Sequence, residues 1–459
     1  MTFTSRRAGL LLHPTSLPSG TLADALRWLD FLHAAGLGVW QVLPLGLPLG
    51  GLSPYQCASA FAVDPALFGE CPVGPHADMR RFASWHKRQH DWLDDFARFM
   101  VIKQLQNGAP WTDWPQPLRD RDAEALAEFD VQYADLLKAV MAEQYRAAVC
   151  WQAIHAAATA RGIQLFGDMP IFVAHDSADV WARRDLFLLE PDGHPAVVTG
   201  VPPDYFSATG QRWGNPHYNW AAMQADGFAW WRARLRAHFE WFDLVRIDHF
   251  RGLAAAWTIP ASEPTAMHGD WVTAPGAALL QAMAQEIDAD ETGPLPLVAE
   301  DLGVITPDVT ALRDQFGLPG MAVLQFAFDH HADNPHKPEN VRANTVYYTG
   351  THDNDTLCGW WHSQPQPVQQ QIQAQLGLSD PGQVAATMQA IVLDSPAMLA
   401  MLTLQDVLGL GSSARMNTPG TTQGNWTWRF EWEALPDDLA SRLLKQLQKA
   451  HRCETLPPL

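Results

Sequence analysis

The stretch Leu244-Val245-Arg246-Ile247-Asp248-His249-Phe250-Arg251-Gly252 holds side chains able to do covalent chemistry. Side chains alternate along a strand, so Arg246 and Asp248 share one face. A guanidinium two residues from a carboxylate favours the ionised acid. An ionised, oriented Asp at the C-terminal end of a strand can act as a nucleophile; a core Arg–Asp ion pair has the same spelling. In Leu297-Val298-Ala299-Glu300-Asp301-Leu302-Gly303, Glu300 ends an apolar run where the chain enters a loop. In a partly apolar pocket such a Glu has its pKa raised and serves as a general acid; facing water it is an ordinary strand-end acid. Tyr348-Thr349-Gly350-Thr351-His352-Asp353-Asn354-Asp355 sets His352 and Asp353 just past another apolar run. There they can bind sugar hydroxyls or form an Asx-type turn. Paired carboxylates flanking a bond are the apparatus of glycoside cleavage. A separation of about 5–5.5 Å gives retention and one of about 6.5–9.5 Å gives inversion.

These groups need strands to hold them. Apolar runs at Gly9–His13, Val39–Leu45, Gln164–Val173, Leu244–Phe250, Leu295–Glu300, Met321–Phe328 and Thr345–Thr349 read as strands, with Ala397–Leu404 as an eighth strand or a helix. Continuous apolar strands alternating with helices indicate a parallel sheet covered on both faces. Their number predicts an α/β fold, a (β/α)8 TIM barrel, whose strand C-terminal ends converge on one cleft. No GxGxxG or GxxxxGK[ST] follows a strand, which weakens a nucleotide-binding reading. The uneven spacing predicts one catalytic barrel domain over 1–459, with a mainly helical insertion at 66–160 after the second strand. A substrate-loop insertion is expected at 175–240 after the third. An amphipathic helix is expected over roughly Val131 to Ala160, with Val131, Leu137, Val140, Met141, Tyr145, Ala148 and Trp151 on one face.

Composition sets the outer bounds. Of 459 residues, 47% are hydrophobic and 18% charged, which excludes disorder, collagen and coiled coil. A net charge of −19 repels polyphosphate, so neither nucleic acid nor an anionic membrane is an expected partner. Gly36–Leu52 carries Pro44 and Pro48, which a membrane helix disfavours. The apolar run Ala8–Leu12 behind Arg6-Arg7 is too short for a secretory signal. A soluble cytoplasmic protein is expected. Cys57, Cys71, Cys150, Cys358 and Cys453 are scattered without a CxxC pair, so they read as reduced, mostly buried thiols. Tryptophan is abundant, at 20 against 7 tyrosines. Most indoles fill cores, but those in Gly-rich loops can stack on sugar faces. The segment from Gly200 to Pro216 is the best such case, with Tyr205, Phe206 and Trp213 among turn residues. A metal-dependent barrel hydrolase would draw on Asp329, His330, His331, Asp333 and His336, which lack a regular ligand spacing and read better as a solvated loop.

Nearly end to end, the chain resembles glycoside hydrolase family 77, the 4-α-glucanotransferases of the α-amylase clan. The resemblance rests on Leu12-His13-Pro14-Thr15-Ser16-Leu17-Pro18, Trp40–Leu45, Ser53-Pro54-Tyr55-Gln56, Gly167–Val173 and Gly200–Tyr218. It continues through Arg246–Gly252, Ala299–Gly303, Gly350–Asn354, Gln405–Leu410 and Gly424–Arg429. It implies Asp248 as nucleophile, Glu300 as acid/base and Asp353 as the residue holding a distorted donor sugar. Tyr55, Asp168, Arg246 and His352 are implied around that sugar, and Ser53, Gln211, Trp213 and Asn425 along the glucan groove. It implies no metal and no cofactor. The implied partners are α-1,4-glucans (maltodextrins, amylose, glycogen or starch) and glucose, and a monomer or weak homodimer is expected. A plain α-1,4-glucan hydrolase of the same clan is the alternative, differing only in what captures the intermediate; a catalytically dead glucan-binding protein is opposed by the intact Asp248, Glu300 and Asp353. The chain departs from the pattern at Pro18-Ser19-Gly20-Thr21-Leu22, where the family carries a longer Gly-rich stretch, at Ala62-Val63-Asp64-Pro65 and at Cys57. These changes bear on outer subsites rather than on the chemistry.

Overall fold

The computed structural model describes residues 5–50, 52–72, 77–203, 207–287 and 295–453. Tyr205 and Phe206 of the aromatic segment and the tail Glu454–Leu459, expected to fray, lie outside them. Eight parallel strands form one sheet: β1 (Arg7–Leu11), β2 (Val39–Gln41), β3 (Gln164–Pro170), β6 (Leu244–Asp248), β9 (Leu297–Ala299), β10 (Gly320–Val323), β11 (Thr345–Tyr348) and β12 (Leu399–Thr403). Their order is β10-β11-β12-β1-β2-β3-β6-β9. The ladder thus runs from β10 round to β9. The gap between those two is bridged by Ala299 N–H donating to the Pro319 carbonyl at 2.9 Å and Met321 N–H to Asp301 Oδ1 at 2.7 Å. The sheet curls into the expected barrel.

The alternation of side chains fills the interior. Leu11, Val39, Phe166, Leu244, Val298, Met321, Val323, Val346, Tyr348, Leu399 and Met401 form one buried cluster inside the barrel. The helices Ala25–Ala34, Ala134–Ala160, Ala229–Trp241, Gly276–Glu286, Pro307–Gln315 and Leu439–Lys449 pack outside it, while only short 3-10 turns separate β10 from β11. Close packing on the outside needs one glycine. A Cβ on Gly167 of β3 would fall 2.2 Å from the Phe242 ring, so only glycine lets that strand meet its neighbour. Trp28, Trp40, Trp111, Trp151, Trp181 and Trp231 are fully buried, so the indoles serve mainly as core.

Several expectations are corrected. The expected helix from Val131 is two helices, Ala123–Gln132 and Ala134–Ala160, and Val131 is exposed. The apolar runs outlast the strands: Val39–Leu45 gives only Val39–Gln41, and Met321–Phe328 turns into a 3-10 helix at Leu324. The aromatic segment is a hairpin rather than an open loop. β4 (Val197–Val201) pairs antiparallel with β5 (Gln211–Pro216), and β7 (Ala255–Pro260) and β8 (Asp270–Thr273) complete a second sheet in the order β5-β4-β7-β8. Cys71 and Cys150 are joined in a disulfide, overturning the expectation of wholly reduced thiols. It ties the chain after β2 to the helix Ala134–Ala160, a pairing across 79 residues that no local spacing announces. Among the described residues no helix is long and apolar enough to cross a membrane.

Candidate active site

The interior cluster explains where the polar groups go. Phe166 and Leu244 point into the barrel, so Asp168 and Arg246, two residues on, point the same way one layer higher, and Asp248, four on from Leu244, two layers higher. Val298 likewise sets Glu300 inward, and Tyr348 precedes the loop bearing His352 and Asp353. Register completes the arrangement: Asp168 is the lateral partner of Arg246, and Pro170 of Asp248. Four strand ends therefore deliver their side chains to one mouth.

Arg246 is the electrostatic centre of that mouth. Its Nη1 donates to Asp168 Oδ2 at 2.5 Å and its Nη2 to Asp248 Oδ1 at 2.9 Å. Burial by itself pushes the guanidinium down, but Asp168 and Asp248 outweigh it and hold Arg246 well above its usual value. Tyr55 donates its hydroxyl to the same Asp168 oxygen at 2.7 Å. Its ring stacks on His352 with centroids 5.2 Å apart, and both rings lie against Trp426. Tyr55, His352 and Trp426 thus make an aromatic wall beside the carboxylates.

Glu300 sits in a contrasting environment. Burial pushes its carboxyl up to about 7, with Asp248 adding to the rise and Arg246 opposing it. Two backbone donors fix the group: His249 N–H reaches Oε2 at 2.6 Å and Leu302 N–H reaches Oε1 at 2.9 Å. One carboxylate of the pair is locked to a cation and the other holds its proton toward neutral pH. Two acids in such contrasting settings are suited to separate roles.

Asp353 is half exposed and held from behind. Asn417 Nδ2 donates to its Oδ1 at 2.6 Å, His352 Nε2 lies 3.4 Å from that oxygen, and Arg415 Nη2 donates to its carbonyl at 2.6 Å. The loop that carries it is anchored by buried Asp406. That residue accepts from Thr349 Oγ1 at 2.7 Å and Leu357 N–H at 2.6 Å, and burial raises its carboxyl to about 6.

The remaining predicted residues divide. Ser53 supports the turn at Tyr55, whose N–H approaches its Oγ at 3.4 Å. Trp213 is half-buried against His249 and Phe172, and its indole N–H donates to Gln211 Oε1 at 3.2 Å. The Asn425 amide is engaged within its own turn, with Thr418 N–H and the Thr421 carbonyl, next to Trp426. Sequence reasoning did not single out Arg415, Asn417 or Asp406 in these roles. Asp406 lies in a recognised motif, but the polar turn Arg415–Thr418 carries no pattern of its own. The polar loop after β10 that carries Asp329, His330, His331, Asp333 and His336 is tied to the fold: Asp329 Oδ1 accepts from His331 N–H at 3.1 Å, and His336 Nδ1 from Val323 N–H at 3.2 Å. Among the described residues no three His, Cys, Asp or Glu side chains gather as metal ligands would.

Three comparisons with known proteins agree. A family profile described as 4-alpha-glucanotransferase, glycoside hydrolase family 77, matches residues 11–70 and 73–435. A 4-alpha-glucanotransferase of Thermus thermophilus is 44% identical over 97% of this chain and 99% of its own. One of Synechocystis sp. is 43% identical over 95% and 96%. Among solved structures, an amylomaltase from Streptococcus agalactiae in complex with acarbose superposes with a TM-score of 0.91 at 31% identity, covering 98% of this chain and 100% of that one. An alpha-amylase from Geobacillus thermoleovorans, 11% identical with a TM-score of 0.53, shares the fold.

Proposed function

The chain belongs to glycoside hydrolase family 77, the 4-alpha-glucanotransferases, and from that premise we propose how its own residues carry out the transfer. The enzyme is a 4-alpha-glucanotransferase, and because its relatives are named as transferases the plain hydrolase is not favoured. Its donors are α-1,4-glucans and its acceptors the 4-hydroxyls of glucose or of another glucan.

In the first half-reaction the Glu300 proton passes to the glycosidic oxygen as Asp248 attacks the anomeric carbon. The bond from that carbon to the leaving oxygen breaks, and the shortened glucan departs as an alcohol. The retained segment is left as an ester of Asp248. In the second half, the Glu300 carboxylate takes the proton of an incoming 4-hydroxyl, whose oxygen attacks the same carbon and frees Asp248. Two inversions give net retention. Tyr55 and Arg246 keep Asp168 and Asp248 fixed in direction, and Asp353, backed by Asn417, accepts hydroxyl donors of the distorted sugar. The hairpin bearing Trp213 orders the acceptor and excludes water, which is what transfer demands over hydrolysis.

The observation that carries this reading is the opposed setting of the two acids, Asp248 paired with Arg246 at 2.9 Å and Glu300 raised to about 7 by burial. The test is incubation with maltotriose in a chelator, following chain lengths and total reducing ends together. A ladder of longer and shorter glucans at constant reducing ends is expected. Rising reducing ends without longer products would overturn it.

A further inference from the structure

His249, the residue after Asp248, is bound into the site twice, once through its backbone and once through its ring. Its backbone is left-handed, with φ 49° and ψ 50°. A non-glycine residue held there carries strain that the surroundings must impose. What the conformation achieves is visible in the hydrogen bonds. Glu300 N–H donates to the Ile247 carbonyl at 3.1 Å, Phe250 N–H donates to the Glu300 carbonyl at 3.1 Å, and the intervening His249 N–H turns to Glu300 Oε2 at 2.6 Å. The turn at 249 thus redirects one amide from the sheet ladder to the carboxylate.

The ring of the same residue goes the other way. It meets Trp213 edge to face, with centroids 4.8 Å apart and planes at 88°, and it lies 6.4 Å from Phe172. Its Nε2 is buried with no hydrogen-bond partner among the described residues. Burial lowers the imidazole to about 4, so at neutral pH the ring is an uncharged plate. Room for it is kept by Gly252, where a Cβ would lie 3.3 Å from His249 Cδ2 and 2.8 Å from Ile171 Cδ1.

We propose that His249 is a positioning residue that makes the acid/base and the aromatic hairpin one mechanical unit: its strained backbone aims an N–H at Glu300 while its ring seats Trp213. Displacement of the hairpin is then felt at the carboxylate, and the acceptor-ordering wall is referenced to the group that must deprotonate the acceptor. The proposal rests on Glu300 as acid/base. Among the described residues, the charged groups facing Glu300 are Arg246 and Asp248 of β6, while neighbouring Asp301 turns away to Arg313 and Met321 N–H.

The two roles separate by substitution. Asn accepts the left-handed conformation but has no ring, whereas Val, β-branched, resists it. With maltotriose, His249→Asn is expected to keep the alkaline limb of the kcat/KM profile in place and to raise the hydrolysis-to-transfer ratio roughly 2- to 10-fold, the worth of one edge-to-face ring pair. Combining it with Trp213→Ala should add nothing to Trp213→Ala alone. His249→Val, folded by circular dichroism, should move the limb to higher pH by roughly one unit, because the charged carboxylate loses a donor. If the Val variant does not fold, His249→Ala reads the same shift at smaller amplitude. An unchanged ratio in His249→Asn, or full additivity with Trp213→Ala, overturns the seat. An unmoved limb in His249→Val overturns the backbone role. Glu300→Gln separates the two levels, since a limb that survives it means the acid/base assignment itself has failed.

Discussion

Replacing Glu300 by Gln tests the site at its most informative atom. The wild-type carboxyl is raised to about 7 chiefly by burial. As general acid it must be protonated to release the leaving glucan. With a value near 7, the protonated fraction is about ten-elevenths at pH 6 and one-eleventh at pH 8, so kcat/KM should fall about tenfold between them. Gln keeps the shape but cannot give up a proton, and the expected loss is about 10²- to 10⁴-fold, or roughly 3–5 kcal/mol of transition-state stabilisation. It also has only one acceptor oxygen for two donors, His249 N–H and Leu302 N–H. One buried N–H is left unpaired, costing about 1–3 kcal/mol, so folding is checked first by circular dichroism. The decisive assay compares maltotriose with an α-maltosyl fluoride donor, whose leaving group needs no protonation. The alkaline limb should be present for wild type on maltotriose, absent for wild type on the fluoride in the first half-reaction, and absent for Glu300→Gln on both. A limb that persists on the fluoride donor, or in the Gln variant, refutes the assignment of the raised carboxyl to Glu300. The stability consequence has a definite sign. A carboxyl raised in the fold binds its proton more tightly than in the unfolded chain, so its contribution is full below about 4.5 and is lost as pH rises through about 7.

Asp248→Asn should abolish disproportionation by at least about 10³-fold without unfolding, as measured by maltotriose turnover and circular dichroism; substantial residual transfer would remove it from the nucleophile role. Trp213→Ala should raise hydrolysis relative to transfer, read as reducing ends gained per chain transferred, and an unchanged ratio would clear the hairpin. Reducing the Cys71–Cys150 bridge, or Cys71→Ser, should cost about 4.5 kcal/mol on loop-entropy grounds for a 79-residue separation. It should lower the thermal midpoint while leaving maltotriose turnover in place below that midpoint, and an unmoved midpoint would deny the bridge a stabilising role.

The barrel was legible because its strands are buried on both faces and so are spelled as apolar runs. Their ends were not. Leu43 and Leu45 stay buried after β2 stops pairing, so hydrophobicity continues where the ladder does not. Ala397–Leu404 reads either way because strand Leu399–Thr403 runs without a break into helix Leu404–Val407. The carboxylates were readable from strand-end position and period-two spacing, which fix the face of Asp168, Arg246 and Asp248. The second sheet was not, since β4 and β7 pair across some 60 residues and β8 is exposed along its length. Nor was the hold on Asp353 by Asn417 across 64 residues, a contact made by tertiary folding between two turns.

The bridged gap between β9 and β10 makes this barrel divisible. A break at exposed Gly317 would part the chain into a piece with β1, β2, β3, β6 and β9 and a piece with β10, β11 and β12. The first piece holds Asp248 and Glu300, the second His352 and Asp353. The parallel ladder from Arg7–Leu399 to Leu11–Thr403 offers the two halves a docking edge, while the gap itself loses little regular pairing. Co-expressed halves would regain glucan transfer only on reassembly, turning the enzyme into a complementation reporter in which sugar chemistry records that two polypeptides have met.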